Sequence, residues 1–312
     1  MAVFITGGYG HLGSWIAYLF AKNNRDVIIY DINKICPEYL EDYKGKIHFI
    51  EGDVLDFARL TDVIKEYKDD IEGIIHTVAI MGEFVPKNPY FNIQLNIIGL
   101  LNILELSRIF GIKKIIFTST GAIYGRKKRK SKEEDCIEPQ DLYAASKASA
   151  EFIGRKYADI YQIDFRIGRL YFIYGPGRMP STFFTLYKIA FGILEGIKGL
   201  KSIKGSDQII DFTYVLDAAQ GIYLLFEKKK LVSKVYNISS GESYKVGEVV
   251  ALCKKYTYFP VDISLGKGKL MNRVEGLDIS KAKKELGYQP AYNIEEGIKL
   301  YSEWIKSKKL TV

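Results

Sequence analysis

Residues 3–31 run VFITGGYGHLGSWIAYLFAKNNRDVIIYD, and the spacing of glycines and apolar residues within them decides the fold. Val3 to Thr6 is a short β-branched and aromatic run; Gly7, Gly8, Gly10 and Gly13 follow closely, and an apolar pattern of helical period begins. That order predicts strand, tight turn, helix. A turn without side chains lets backbone N–H groups at a helix N-terminus close on a pyrophosphate. The second strand, Val27 to Tyr30, ends in Asp31. A carboxylate there can accept hydrogen bonds from an adenosine ribose and would repel a 2′-phosphate, so the stretch points to a dinucleotide site that prefers NAD to NADP.

At 312 residues the chain is long enough for roughly two domains and a substantial core. Its 47% hydrophobic content and mean hydropathy of −0.04 fit a soluble globular protein. No apolar run is expected to approach the ~20 residues of a membrane helix. The first strand begins almost at Met1, which predicts no leader peptide and a cytoplasmic location. Cys36, Cys136 and Cys253 are scattered and odd in number, against a disulfide framework. His11, His48 and His76 have no metal-ligand spacing, so no metal is expected. The net charge of +8 permits attraction to anionic ligands. The basic run from Arg126 to Lys132 is followed at once by Glu133, Glu134 and Asp135, which favours a solvated loop. Help in attracting a phosphorylated substrate is the lesser alternative. Without interleaved aromatics or a recognition helix, no nucleic-acid partner is expected.

Further along, IHFIEGDVLD (47–56) predicts a third strand running to Asp53 and Val54, which either sandwich an adenine or form a plain polar strand end. Ile71 to Ala79 predicts a fourth, where Thr77, Val78 and small Ala79 would let a cofactor lie against the backbone; His76 is read as a packed strand-end residue. Tyr90 to Phe110 carries apolar residues at helical spacing, with Asn96 inside, and KKIIFTSTGAIYG (113–125) gives a fifth strand. Strands alternating with helices imply right-handed βαβ units and a Rossmann-type doubly wound parallel sheet of the α/β class. Ligands of such sheets bind at the carboxyl ends of the strands, where Gly7, Asp31, Asp53, Val78 and Thr120 all fall.

The chemical centre is YAASK, Tyr143 to Lys147. Tyr and Lys four residues apart share one helix face, and a nearby ammonium favours a phenolate, which would let Tyr143 act as a general base. Thr120 supplies a hydroxyl to hold the reacting oxygen. IDFRIGRLYFIY (163–174) forms a further strand ending at GPGRMP; beyond it the rhythm loosens, with a helix around Phe183 to Leu194, a strand-turn and helix in DFTYVLDAAQGIYLLFE, a strand in VYNISSGE (235–242), and helical pieces from Asp278 to Ile305 broken by GYQP. Residues 1–170 are therefore expected to form the NAD-binding domain. Residues 171–312 would be mainly a smaller α/β substrate-binding domain, with segments near 208–240 returning to the first.

TGGYGHLG, TSTGAIYG, YAASK, RLYFIYGPG, IIDFTYVLDAA, YNISSGE and LDISKAKKELGYQP stand in the order of landmarks in the extended short-chain dehydrogenase/reductase family, and the chain resembles its NAD-dependent epimerase/dehydratase branch along essentially its whole length. The resemblance implies NAD as cofactor, Thr120, Tyr143 and Lys147 as a catalytic triad, and Leu170 and Tyr171 near the nicotinamide. It also implies a homodimer formed by two helices from each subunit, near 90–110 and 143–161. The candidate cofactor contacts are then Gly7, Gly10, His11, Leu12, Gly13, Asp31, Asn33, Asp53, Val54, Thr77, Val78, Ala79, Asn96, Thr118, Tyr143, Lys147, Leu170 and Tyr171. Candidate substrate contacts are Met81, Thr120, Phe172, Arg178 and Arg273.

Departures from the branch narrow the activity. Its 4,6-dehydratases place Asp-Glu after the catalytic Thr, and its glucuronate decarboxylases need the Glu; this chain has Gly121 and Ala122. Neither moves a proton, which leaves 4-epimerisation or simple redox. Nucleotide-sugar enzymes of the branch usually carry Asn where Phe172 stands and a diphosphate-gripping Arg where Ile210 stands, with Arg178 or Arg273 as substitutes. The leading expectation is a UDP-hexose 4-epimerase working through a transient 4-keto sugar. The alternative is an NAD-dependent dehydrogenase or reductase of a non-nucleotide sugar, aldehyde or hydroxy acid, motivated by apolar Phe172 and Ile210.

Overall fold

The computed structural model describes residues 1–81, 84–182, 185–196, 200–259, 263–271, 273 and 275–310. The chain alternates strand and helix from the start: β1 (Ala2–Thr6), α1 (His11–Lys22), β2 (Val27–Asp31), β3 (Ile47–Glu51), α2 (Phe57–Tyr67), β4 (Ile71–His76), α3 (Phe84–Lys87), α4 (Pro89–Ile93), α5 (Gly99–Phe110), β5 (Lys114–Thr120), α6 (Leu142–Tyr161) and β6 (Asp164–Leu170). It continues through β7 (Ile173–Tyr174), α7 (Thr185–Phe191), β8 (Leu200–Lys204), β9 (Ile209–Ile210), β10 (Thr213–Tyr214), α8 (Val215–Glu227), β11 (Val235–Ile238), β12 (Tyr244–Lys245), α9 (Val246–Tyr256), β13 (Ile263–Gly266), α10 (Ser280–Leu286) and α11 (Ile294–Leu310).

Seven strands form one parallel sheet in the order β11-β6-β5-β4-β1-β2-β3. The winding reverses between β1 and β4, which opens a crevice above their carboxyl ends. Register keeps the tips level: Thr6 is opposite Tyr30 on one side and His76 on the other, and Thr120 is opposite Leu170. Alternate residues of β1 serve opposite faces. Val3 and Ile5 pack with Ile16 and Phe20 of α1 and Ile222 and Phe226 of α8; Phe4 packs with Leu60 of α2, Ile103 and Leu104 of α5, and Phe117. Burying each such side chain contributes about 1.5–3 kcal/mol, which is why apolar runs in these strands settle between two helical layers. A third cluster, with Tyr174, Tyr187, Phe191, Phe212, Val249, Ile298 and Tyr301, gathers α7, α9 and α11 around the short strand pairs.

Several boundaries differ from expectation. The third strand stops at Glu51, and the fifth stops at Thr120, followed by a 3-10 turn over Gly121–Tyr124. The strand expected through Tyr174 breaks after Leu170, because Phe172 takes a left-handed backbone, φ +35°. Part of the helix expected from Phe183 lies outside the described residues; α7 is followed by a 3-10 turn at Gly192–Glu195. The expectation about apolar runs also needs correction. Pro89–Phe110 forms a 22-residue helical stretch, of mean hydropathy 1.4 in its richest window, long and apolar enough to cross a membrane by length and composition. Here it covers the sheet: Leu100, Ile103, Leu104 and Leu106 are buried, and a π-type turn at Gln94–Ile98 turns Asn96 inward.

The basic run folds on neighbouring acids. Arg129 grips Asp135 through two hydrogen bonds of 2.7 and 2.8 Å, Lys127 pairs with Glu138, and Lys281 binds Glu134. That is the solvated, internally paired loop its composition suggested.

Candidate active site

The glycine turn is shaped by close backbone approach. Gly7 has φ +72°, and a Cβ added at Gly13 would lie 2.1 Å from the Gly7 carbonyl oxygen. Gly10 leads into α1 with no side chain capping the helix. An uncapped helix N-terminus behind a side-chain-free turn fits a pyrophosphate. Thr77 Oγ1 donates to Thr6 O and Gly7 O at 2.8 and 3.1 Å, tying the end of β4 to that turn, and Val78 and Ala79 follow along the same edge. Asp31, 9% exposed, accepts from Tyr9 N–H and Asn33 N–H, both at 2.9 Å, so its carboxylate is aimed before any ribose arrives. Asp53 accepts Leu55 N–H at 2.9 Å, and buried Val54 lies beside it.

His11 and Trp15 on α1 sew the turn to the GPGR segment: His11 Nε2 is 3.2 Å from Gly175 O, and Trp15 Nε1 donates to Pro176 O at 2.8 Å. Burial, with Arg178's charge nearby, brings His11 down to about 4. Arg178 is partly buried and donates to Thr182 Oγ1 and Thr182 O, each at 3.3 Å.

At the tip of β5, Thr120 Oγ1 accepts Ala122 N–H at 3.2 Å and lies near enough to the Tyr143 phenol to lower its pKa. Tyr143 starts α6, whose N-cap Asp141 accepts Ala144 N–H at 2.8 Å. Burial pushes the Tyr143 phenol up to about 12; the nearby Thr120 hydroxyl and Arg273's charge oppose it, and Asp141 adds to it. One turn further, Lys147 is 1% exposed, and its Nζ has no hydrogen-bond partner among the described residues. It rests 4.0 Å from the centre of the Phe117 ring. Burial brings it down to about 7 against the pull of Glu151. Arg273, which lies outside the YAASK motif, also brings positive charge to Tyr143. An orphaned ammonium buried at the sheet edge asks for acceptors that a cofactor ribose carries, so this feature too fits a dinucleotide.

Other sequence candidates fall differently. Asn96 is committed inside the protein: its Oδ1 accepts Ile80 N–H at 3.0 Å, and its Nδ2 donates to Ile80 O and Ser146 Oγ. It positions the 77–80 edge against α6 and makes no open contact. Thr118 Oγ1 donates to His76 O at 3.1 Å. His76 is fully buried with Nδ1 2.8 Å from Thr6 Oγ1, the packed strand-end residue expected. Leu170 and Tyr171 are buried at the end of β6. Phe172 stacks edge-on against Tyr171 and Phe212, and Met81 is 37% exposed at the rim. Ile210 is fully buried in the third cluster, so the position where the family resemblance implied a cation faces core here.

Two residues of this region had no role in the sequence reading. Tyr187 of α7 lies within electrostatic reach of Tyr143, Tyr171 and Arg178, and no motif marked it. Asp211, inside the quoted IIDFTYV, is buried and accepts from Ser239 Oγ at 2.7 Å, Ser240 Oγ at 2.6 Å and Leu277 N–H at 3.3 Å. Burial brings it up to about 6, with Ser239 and Ser240 opposing. It fastens the 239–240 and 277 segments under Tyr171.

Comparison with known proteins gives a family and close architectural relatives. Residues 4–301 match the family described as GDP-mannose 4,6 dehydratase. A putative UDP-glucose 4-epimerase of Methanocaldococcus jannaschii is 30% identical over 99% of this chain and 100% of its own. A UDP-glucuronate 4-epimerase of Thermodesulfobacterium geofontis is 28% identical over 97% and 95%. The crystal structure of Thermus thermophilus UDP-glucose 4-epimerase in complex with NAD superposes with a TM-score of 0.83 at 25% identity, covering 98% of this chain and 99% of that one.

Proposed function

The chain belongs to the GDP-mannose 4,6 dehydratase family, in the NAD-dependent epimerase/dehydratase branch of the extended short-chain dehydrogenases/reductases, and from that membership we propose that it is an NAD-dependent nucleotide-sugar 4-epimerase. One arrangement supports the reading: at the strand tips the Tyr143 phenol lies near Thr120, one helical turn from a buried Lys147 whose Nζ has no hydrogen-bond partner among the described residues. The relatives favour this over net redox on a non-nucleotide substrate. Dehydration is disfavoured by geometry as well as by residue type. A Cβ at Gly121 would come within 2.7 Å of Leu277 Cδ2 and 2.9 Å of Tyr171 Cδ2, so no acid can stand there without repacking.

NAD, when bound, supplies the acceptor and donor of hydride. The glycine turn and the α1 N-terminus would hold its pyrophosphate, Asp31 one ribose and Lys147 the other. Thr120 Oγ1 would steady the sugar's 4-oxygen while Tyr143 removes the hydroxyl proton, and the same phenol would return it once the sugar has turned its other face. In this division residues 1–170, with 208–240, serve the cofactor, and 171–312 mainly the sugar.

We also propose a homodimer. Phe91, Ile98 and Ile109 on one helical stretch and Phe152 and Ile160 on α6 are each at least 41% exposed, a surface suited to pairing with a second copy. Three free thiols, Cys36, Cys136 and Cys253, suit a cytoplasmic location.

The test is interconversion of UDP-hexoses or UDP-hexuronates by NAD-loaded protein, followed by NMR, with no net NADH formed. Loss of that activity in Tyr143→Phe would support the reading; failure of every such sugar to react would sink it.

A further inference from the structure

Arg273, whose charge reaches Tyr143, holds an unusual position. It enters from a segment 132 positions beyond Asp141, and its side chain is 16% exposed. Nη2 is hydrogen-bonded to Asp141 Oδ2, and Nη1 donates to Ala122 O at 3.4 Å. Ala122 stands two residues after Thr120, and Asp141 two before Tyr143, so the guanidinium bridges the two segments that carry the reacting hydroxyls. Both Tyr143 and Tyr171 feel its charge.

Among the described residues, those directly following Thr120 offer a polar substituent no side-chain partner. Gly121 and Ala122 have no polar side chain, and Phe172 is aromatic. Burying an arginine is costly, and its planar fork of donors matches a carboxylate better than any neutral group. Asp141 is a weak claimant: it is 42% exposed, and its other oxygen already caps α6. When the 4-oxygen of a sugar lies between Thr120 and Tyr143, its ring neighbours are C3, which bears a hydroxyl, and C5, which bears C6. Of these only C6 becomes a carboxylate in ordinary hexoses.

We propose that Arg273 receives the C6 carboxylate of a nucleotide-linked hexuronate, exchanging Asp141 for it, and so makes the uronate the preferred substrate over the neutral hexose. This rests on the epimerase reading above.

The experiment compares UDP-glucuronate with UDP-glucose on NAD-loaded protein, and repeats both with Arg273→Met and Arg273→Lys. The readout is the ratio of the two kcat/KM values, in which any general effect of Arg273 on Tyr143 cancels. Wild-type protein is expected to favour the uronate by about tenfold to a hundredfold, the worth of one charge-assisted pair. Arg273→Met should abolish the preference, and Arg273→Lys should retain part of it, with NAD content and melting temperature checked in each. If either variant fails to fold, the wild-type preference still decides. A wild-type preference for the hexose, or a ratio unmoved in folded Arg273→Met, overturns the proposal and leaves the epimerase standing. Interconversion of neither sugar fails the epimerase reading, and the proposal with it.

Discussion

The two sides of the crevice are built from different materials. On the cofactor side the surface is backbone: glycines that exclude a Cβ, a bare helix N-terminus, and Asp31 pinned by two N–H groups. On the side we propose for the sugar it is side chains from separate segments, with Thr120, Arg273 and Tyr187 within electrostatic reach of Tyr143, and Arg178 within reach of Tyr187. A backbone surface accepts one ligand shape and resists change, because any added atom meets main chain. A side-chain surface can be retuned one residue at a time, so the difference places cofactor identity in the fold and sugar choice in the substitutions.

Tyr143→Phe should separate the sides most sharply: turnover falls by about 10²–10⁴-fold, the usual worth of a positioned acid–base group, while NAD titrations stay within error of wild type. If NAD binding collapses too, the two sides are not independent. Gly13→Ala should break only the backbone side, since its methyl meets the Gly7 carbonyl; a stability loss of about 1–3 kcal/mol and at least tenfold weaker NAD binding are expected by calorimetry.

Lys147 sits on the seam and should trade stability for binding. Its folded value near 7 lies below the 10.5 of a free lysine, so the folded chain releases this proton first. The burial penalty is therefore fully felt below about 7 and is relieved as pH rises toward the unfolded value. Lys147→Met should raise the melting temperature of the cofactor-free protein at pH 7 by about 2–4 °C, lose that advantage by pH 10, and bind NAD poorly. Equal melting at both pH values would show that the ammonium is paired in solution. The smallest effect is expected at Phe172, whose φ of +35° suits asparagine better than an aromatic residue. Phe172→Asn should melt above Phe172→Ala by about 1 kcal/mol or less, because both lose the ring contacts and only one tolerates the backbone.

The same contrast explains what could be read in advance. Gly7 to Asp31 is a local pattern, and the structure repeats it almost residue for residue. Asn96 was visible only as a polar residue in an apolar helix; that its amide closes on Ile80 depends on a π-type turn that periodicity does not announce. Tyr187 carried no signal, since it acts from a helix outside every motif. Lys147 is legible from helical spacing and from the family resemblance, and neither says anything about Phe117, which receives the ammonium from the neighbouring strand.

What was legible in the order of residues alone was the strand–helix alternation, the glycine turn and the one-turn spacing of Tyr143 and Lys147, because each is a pattern within a strand, a turn or one helical repeat. Only the folded molecule decided that Arg273's charge reaches Tyr143, that Ile210 faces core, and that an acid at Gly121 would meet Leu277 and Tyr171. Those outcomes are set by packing between segments far apart in the chain, where every side chain's place depends on volumes that no local pattern records.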